Sequence, residues 1–202
     1  MKKNIAFIII PIILFMFIAF FIGVEWMTNF ESWVYLESVE HMSPFTTFIV
    51  KFVTHIGDSI TVIAICLALF AIPYLRKSYA IPTSISVMIA TVLNVLLKEI
   101  FSRPRPDILR LVNETSYSFP SGHAMVSMAL YASLALLVLK LVSGTKTKVI
   151  SISLCMFLAL AIGFSRVFLG VHYITDVVGG WCLGFVIAFV VNIVYLRKWK
   201  EE

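Results

Sequence analysis

Cysteine is scarce in this chain of 202 residues, and the three present, Cys66, Cys155 and Cys182, have no CxxC spacing and no neighbouring histidine. That pattern argues against a thiolate metal site, and the odd number leaves a disulfide framework incomplete. All three lie inside apolar stretches and read as packing residues. Charge is thin as well, at 13% of residues, and no motif for RNA or DNA accompanies it, so the net +5 is no signal for nucleic acid. It fits a chain held against an anionic inner leaflet. Repeats, low-complexity stretches and internal linkers are absent, which points to one domain over residues 1–202.

What the chain has is oil. A hydrophobic share of 60% and a mean hydropathy of +0.99 exceed what a soluble globule of this length can bury. Apolar runs extend over Asn4 to Val24, Ser59 to Leu75, Tyr79 to Leu97, Ala124 to Val142, Val149 to Val167 and Tyr173 to Leu196. Each is near the roughly 20 residues that cross hydrocarbon. The first is too long for a signal-peptide core and no small-residue cleavage site follows it, so it reads as a membrane helix. The expected fold is all-α and integral to the membrane: a bundle of six transmembrane helices. Between its first two crossings, Glu25 to Asp58 mixes Trp26, Trp33 and Tyr35 with Glu31, Glu37 and Glu40, as short interfacial helices do.

Six crossings put Lys2, Lys3, Arg76, Lys77, Lys140, Lys146, Lys148, Arg197, Lys198 and Lys200 on one side, which the retention of positive residues makes the cytoplasm. Both termini are then cytoplasmic. Three polar blocks face the other way: Lys98 to Pro106, Pro120 to His123, and Ser165 to Asp176. Ionisable residues at membrane depth are costly and point to function. Lys98 alone reads equally well as a snorkelling side chain. Arg105 sits in an SRPRP turn whose prolines restrict its backbone and favour recognition; Arg103 is the competing candidate for that role, though it reads more readily as a headgroup contact. Ser121 is placed to cap the helix that follows, whose free N–H groups and dipole favour an anion, and Gly122 admits an oxyanion close to the backbone. His172 and Asp176 have helical spacing, so the carboxylate can hold one ring nitrogen and leave the other free as a nucleophile. His41 and His55 are isolated, and nothing completes a metal coordination sphere.

Together, K-x6-R-P (Lys98, Arg105, Pro106), P-S-G-H (Pro120, Ser121, Gly122, His123) and S-R-x5-H-x3-D (Ser165, Arg166, His172, Asp176) resemble the three-part signature of the type 2 phosphatidic acid phosphatase family. Vanadium-dependent haloperoxidases share that signature. The arrangement of crossings is similar to bacterial membrane members of the phosphatidylglycerophosphate phosphatase B type. The resemblance implies that Lys98, Arg105, Ser121, Gly122 and Arg166 bind phosphate, that His172 attacks phosphorus, that Asp176 orients it, and that His123 is the general acid and base. It implies a metal-independent hydrolase, without cofactor, acting at the outer face of a bacterial cytoplasmic membrane. Its substrate would be phosphatidylglycerophosphate, undecaprenyl diphosphate or, more broadly, phosphatidate, with membrane lipids as its surroundings and no obligate protein partner. A transporter or lipid-binding scaffold is the competing class, but such sites lie at midplane and accompany internal repeats. A vanadate-dependent peroxidase is the third reading, and its relatives are soluble.

Overall fold

Hydrocarbon offers no partner for a backbone N–H or C=O, so apolar runs in a bilayer become helices, which satisfy those groups internally. The computed structural model of the protein describes residues 2–107 and 109–199. Lys200, one of the cations assigned to the cytoplasmic side, lies outside the described residues. Helix α1, Lys2–Phe21, ends at Gly23, whose φ of 83° only glycine adopts without strain. The chain turns by 104° there into α2, Glu25–Glu40. Helix α3, Pro44–His55, opens with a capping box between Ser43 and Thr46. The segment from Glu25 to Asp58 is thus two helices, matching the expectation.

The helix formed in the second apolar run is shorter than that run. Helix α4, Ser59–Ala71, is bent by 48° from α3 and stops before Pro73, because the residue preceding proline is driven out of the helical region. Ile72 is accordingly extended, with φ −95° and ψ 108°. Pro73 to Leu75 belong to the next element: α5, Pro73–Leu75, a π turn, Arg76–Ala80, and α6, Ile81–Phe101, form one span of 29 residues. The remaining helices are α7, Gly122–Leu141, α8, Thr145–Phe168, and α9, Ile174–Trp199. Among the described residues the protein is all-helical and integral to the membrane, with four helices long and apolar enough to span, or six if each bent pair is one span.

Helix α7 runs through the middle. Its backbone meets α9 at Gly180 and Gly184, where an added Cβ would lie 2.8 Å from the Ser121 carbonyl oxygen and 2.3 Å from that of Met125. Without a hydrophobic drive between helices in lipid, such close contact is what holds them. Leu130, Tyr131, Ala159, Ile162 and Ala188 extend the packing into α8. Helix α6 ends at Ser102, a left-handed residue with φ 44°, and the chain from there to Ser121 folds back across the helix ends. Hydrogen bonds from Ser118 N to the Arg103 carbonyl (2.8 Å), Leu111 N to that of Leu169 (3.0 Å) and Ser121 N to that of Asp176 (3.0 Å) pin this loop.

Candidate active site

His172 lies in the turn between α8 and α9, ahead of the helix rather than on it, and is buried. Asp176, in the first turn of α9, still reaches it: Oδ2 is 3.4 Å from His172 Nδ1. The same oxygen accepts from the Tyr173 N–H (2.9 Å) and the Ser118 hydroxyl. On the far side of the ring, Arg105 Nη1 lies 3.1 Å from Nε2. A guanidinium has no lone pair to offer, so Nε2 is the acceptor and Nδ1 carries the proton toward Asp176. Burial pushes His172 down to about 3, with Asp176 only partly offsetting it. The imidazole is therefore neutral at physiological pH, with its free lone pair held by an arginine.

Four of the predicted phosphate-binding residues border or line one cavity of about 280 Å³: Lys98 near the end of α6, Arg105 in the loop, Gly122 at the start of α7, and Arg166 in the last turn of α8, which reaches it through Glu114. His123 and His172 line it too. Lys98 is buried and donates to the Ser116 hydroxyl (3.0 Å) and the Tyr117 carbonyl. Arg166 donates to Thr54 Oγ1 (2.9 Å) and to Glu114, while its Nε has no partner. Ser121 occupies the N-cap position of α7, but its side chain does not cap the helix as expected. Its hydroxyl is buried without a partner. Gly122 is pressed against Asn94, which would lie 3.0 Å from an added Cβ.

Glu114 was not singled out by the sequence, yet it sits among these cations. It bonds Arg166 and lies 3.6 Å from Arg105. Burial alone would raise its pKa, but Arg166 and Arg105 outweigh that and hold the carboxyl below its ordinary value. A carboxylate thus occupies ground between two cations expected to hold phosphate. His123 meets a second carboxylate, with Nε2 2.9 Å from Asp58 Oδ1, and Asp58 Oδ2 is 2.6 Å from His55 Nδ1. His55 is therefore not isolated. A guanidinium or ammonium set around a small polar cavity, with two carboxylate-held imidazoles, is equipped for phosphoryl transfer by electrostatic stabilisation and covalent catalysis.

Residues 79–200, which carry all three motif blocks, match the family model for the PAP2 superfamily. The chain belongs to that superfamily. Among PAP2 relatives it is 44% identical to phosphatidylglycerophosphatase B of Bacillus subtilis over 101 residues, 50% of each protein. It is 33% identical to an undecaprenyl-diphosphatase of Sulfolobus acidocaldarius over 121 residues, 56% of this chain and 53% of the other. The aligned stretches thus span about half the length of these relatives. The crystal structure of a transmembrane PAP2-type phosphatidylglycerolphosphate phosphatase from Bacillus subtilis superposes with a TM-score of 0.87 at 29% identity, covering 98% of both chains. Aquifex aeolicus LpxE superposes with a TM-score of 0.61 at 25% identity, covering 81% of this chain and 93% of that one.

Within this PAP2 fold, a further reading from the sequence is corrected. Arg103 is buried and makes no headgroup contact. Its Nη1 donates to Asp176 Oδ1 (2.6 Å) and Thr175 Oγ1 (2.9 Å), its Nη2 to both oxygens of Glu31 (2.8 and 2.7 Å), and its Cζ lies 4.1 Å from the centre of the Tyr173 ring. The guanidinium thus bridges two buried carboxylates, as buried charges require a partner. The sequence left Arg103, Glu31, Asp58 and Glu114 outside the site. The only signal for them was the number of charges in an apolar chain that lacked a stated partner.

Proposed function

We propose that the protein is an integral-membrane lipid phosphate phosphatase that removes phosphate from phosphatidylglycerophosphate, giving phosphatidylglycerol, or hydrolyses undecaprenyl diphosphate to the monophosphate. Phosphatidate or a broader set of lipid phosphates is the alternative within the same chemistry. The cavity carries this reading. Its polar end holds Lys98, Arg105, His123 and His172, and its walls are Val62 and Ile63 of α4 and Val87, Val95 and Val126 of α6 and α7. A phosphate with a hydrocarbon tail suits that division, and entry from the bilayer leaves the tail in lipid. The unpartnered buried Ser121 hydroxyl and Arg166 Nε supply donors for phosphate oxygens.

In the proposed reaction, Nε2 of His172 attacks phosphorus, with Arg105 turning from it to a phosphate oxygen. The bond from phosphorus to the leaving oxygen breaks, and His123 gives that oxygen its proton. Asp176 holds the Nδ1 proton and stabilises the charge that develops on the ring. Lys98, Arg105 and Arg166, with Ser121 and the Gly122 N–H, stabilise the transferring group. His123 then takes a proton from water, whose oxygen attacks phosphorus as the nitrogen–phosphorus bond breaks. Inorganic phosphate leaves, and the cycle requires no metal.

The chain acts in this reading as one domain over residues 1–202, crossing a bacterial cytoplasmic membrane six times with both termini cytoplasmic and the site on the outer face. Helices α2 and α3 lie at that interface. Purified protein in detergent with a chelator is expected to release phosphate from phosphatidylglycerophosphate, undecaprenyl diphosphate or phosphatidate far faster than from glycerol phosphate. No release, or equal rates on lipid and soluble substrates, overturns the reading.

A further inference from the structure

The turn joining α3 to α4 lies before residue 79, outside the matched family region and outside the three motif blocks, yet it touches two of the proposed catalytic groups. Thr54 accepts from Arg166 (2.9 Å), and Asp58 holds His123 Nε2 at 2.9 Å. Gly57 fixes how close the turn lies. A Cβ there would be 3.3 Å from His123 Cδ2 and 2.4 Å from Ile162 Cγ2, so the backbone is pressed against the imidazole. Cδ2 and Nε2 form one edge of the ring, and both face this turn. Among the described residues Nδ1 has no hydrogen-bond partner, so it is the ring nitrogen of His123 that remains free beside the cavity.

We propose that Asp58 is the positioning residue for the acid–base histidine, holding the Nε2 proton of His123 so that Nδ1 carries the catalytic proton. The inference rests on the phosphatase reading above. It makes the site a pair of carboxylate-held imidazoles with opposite nitrogens free: Nε2 on His172, the nucleophile, and Nδ1 on His123, the acid. The charges around His123 show why it needs a partner. Arg166 of α8 lies near it, and Lys98 of α6 and Arg105 of the loop line the same cavity, so three cations surround a ring that must itself be charged to act as an acid. His172 lines that cavity as a neutral ring. Glu114 of the loop and Asp58 are the carboxylates near it, and Asp58 alone of these two is in hydrogen-bond contact. His55, whose side chain is 71% exposed, holds the other Asp58 oxygen at 2.6 Å and fixes the rotamer of the carboxylate.

The test uses leaving-group dependence, because only the protonated acid matters for a poor leaving group. Purified full-length wild type and Asp58→Asn are compared on a lipid phosphate monoester and on p-nitrophenyl phosphate, whose leaving group departs without a proton. Asp58→Asn is expected to lower kcat/KM for the lipid phosphate by about 10- to 100-fold, within the range general acids contribute. The loss on p-nitrophenyl phosphate is expected to stay below about threefold, because that leaving group needs no general acid. The alkaline limb of the lipid-phosphate profile moves to lower pH, and Asp58→Glu restores most of both. Equal losses on the two substrates with an unmoved limb, or full activity in Asp58→Asn, overturns the assignment. Should Asp58→Asn misfold, His55→Ala serves: a smaller shift of the same limb supports the assignment, and no shift overturns it. Failure of wild type to release phosphate would instead remove the phosphatase reading itself.

Discussion

Replacing Arg103 with methionine keeps most of its volume and removes its charge, leaving two buried carboxylates without their common partner. Glu31 is 2% exposed and Asp176 fully buried, so water cannot substitute. The two are not equally stranded. Among the described residues, Asp176 keeps the Ser118 hydroxyl, the Tyr173 N–H and His172, whereas Glu31 keeps only the Thr175 hydroxyl. The expected loss is accordingly that of one broken buried pair, about 3–5 kcal/mol, rather than two. At about 2–4 °C per kcal/mol for a chain of this size, the apparent Tm in detergent falls by roughly 6–20 °C. A double change, Arg103→Met with Glu31→Leu, removes the stranded charge and recovers much of that loss, because an apolar pair of similar volume replaces a buried ion pair at little cost. Turnover does not recover with it, since Asp176 Oδ1 still lacks the arginine that fixes it. Thermal unfolding of Arg103→Met, Glu31→Leu and the double variant measures the stabilities, and phosphate release measures the turnover. A loss under about 1 kcal/mol for Arg103→Met, or a double variant whose loss is the sum of the singles, would refute the reasoning.

Two further expectations follow from the cavity. Glu114→Gln keeps the shape of the side chain while removing the negative charge between Arg105 and Arg166, so vanadate and inorganic phosphate are expected to inhibit several-fold more tightly; unchanged or weaker inhibition in a titration against wild type sinks that view of the carboxylate. With His172 pushed down to about 3, its neutral form is complete at pH 5 and is lost only as pH falls toward 3, so kcat at saturating substrate shows no acid limb near the free-imidazole value of about 6.5, and His172→Ala abolishes turnover in folded protein. An acid limb near pH 6.5 or substantial activity in His172→Ala counts against the nucleophile.

The motif blocks were legible because each is local. Lys98, Arg105, Gly122, His123, Arg166 and His172 are recognised from short spacings and do converge, and Asp176 stays within reach of His172 although the helix starts between them. Their partners were not legible, because those contacts are made across the fold: Asp58 is 65 positions from His123 and Glu31 is 72 from Arg103. No periodicity links such pairs. The overlong second apolar run has a local cause, since hydropathy counts Ile72 to Leu75 as apolar while proline stereochemistry ends the helix before them.

The glycines of α9 let its backbone approach that of α7 closely, and each of those helices carries part of the proposed reacting set in its first turn: His123 on α7 and Asp176 on α9. The proposed chemistry is thereby mounted on the most closely apposed pair of helices, where any larger residue at Gly180 or Gly184 would force them apart. The walls that meet a lipid tail belong mostly to α4 and α6, which that pair does not include. A fold divided in this way can be retuned from one tail to another by changing Val62, Ile63, Val87 and Val95 while the reacting atoms stay where they are. Selectivity and rate then become separately adjustable properties of one small helical protein.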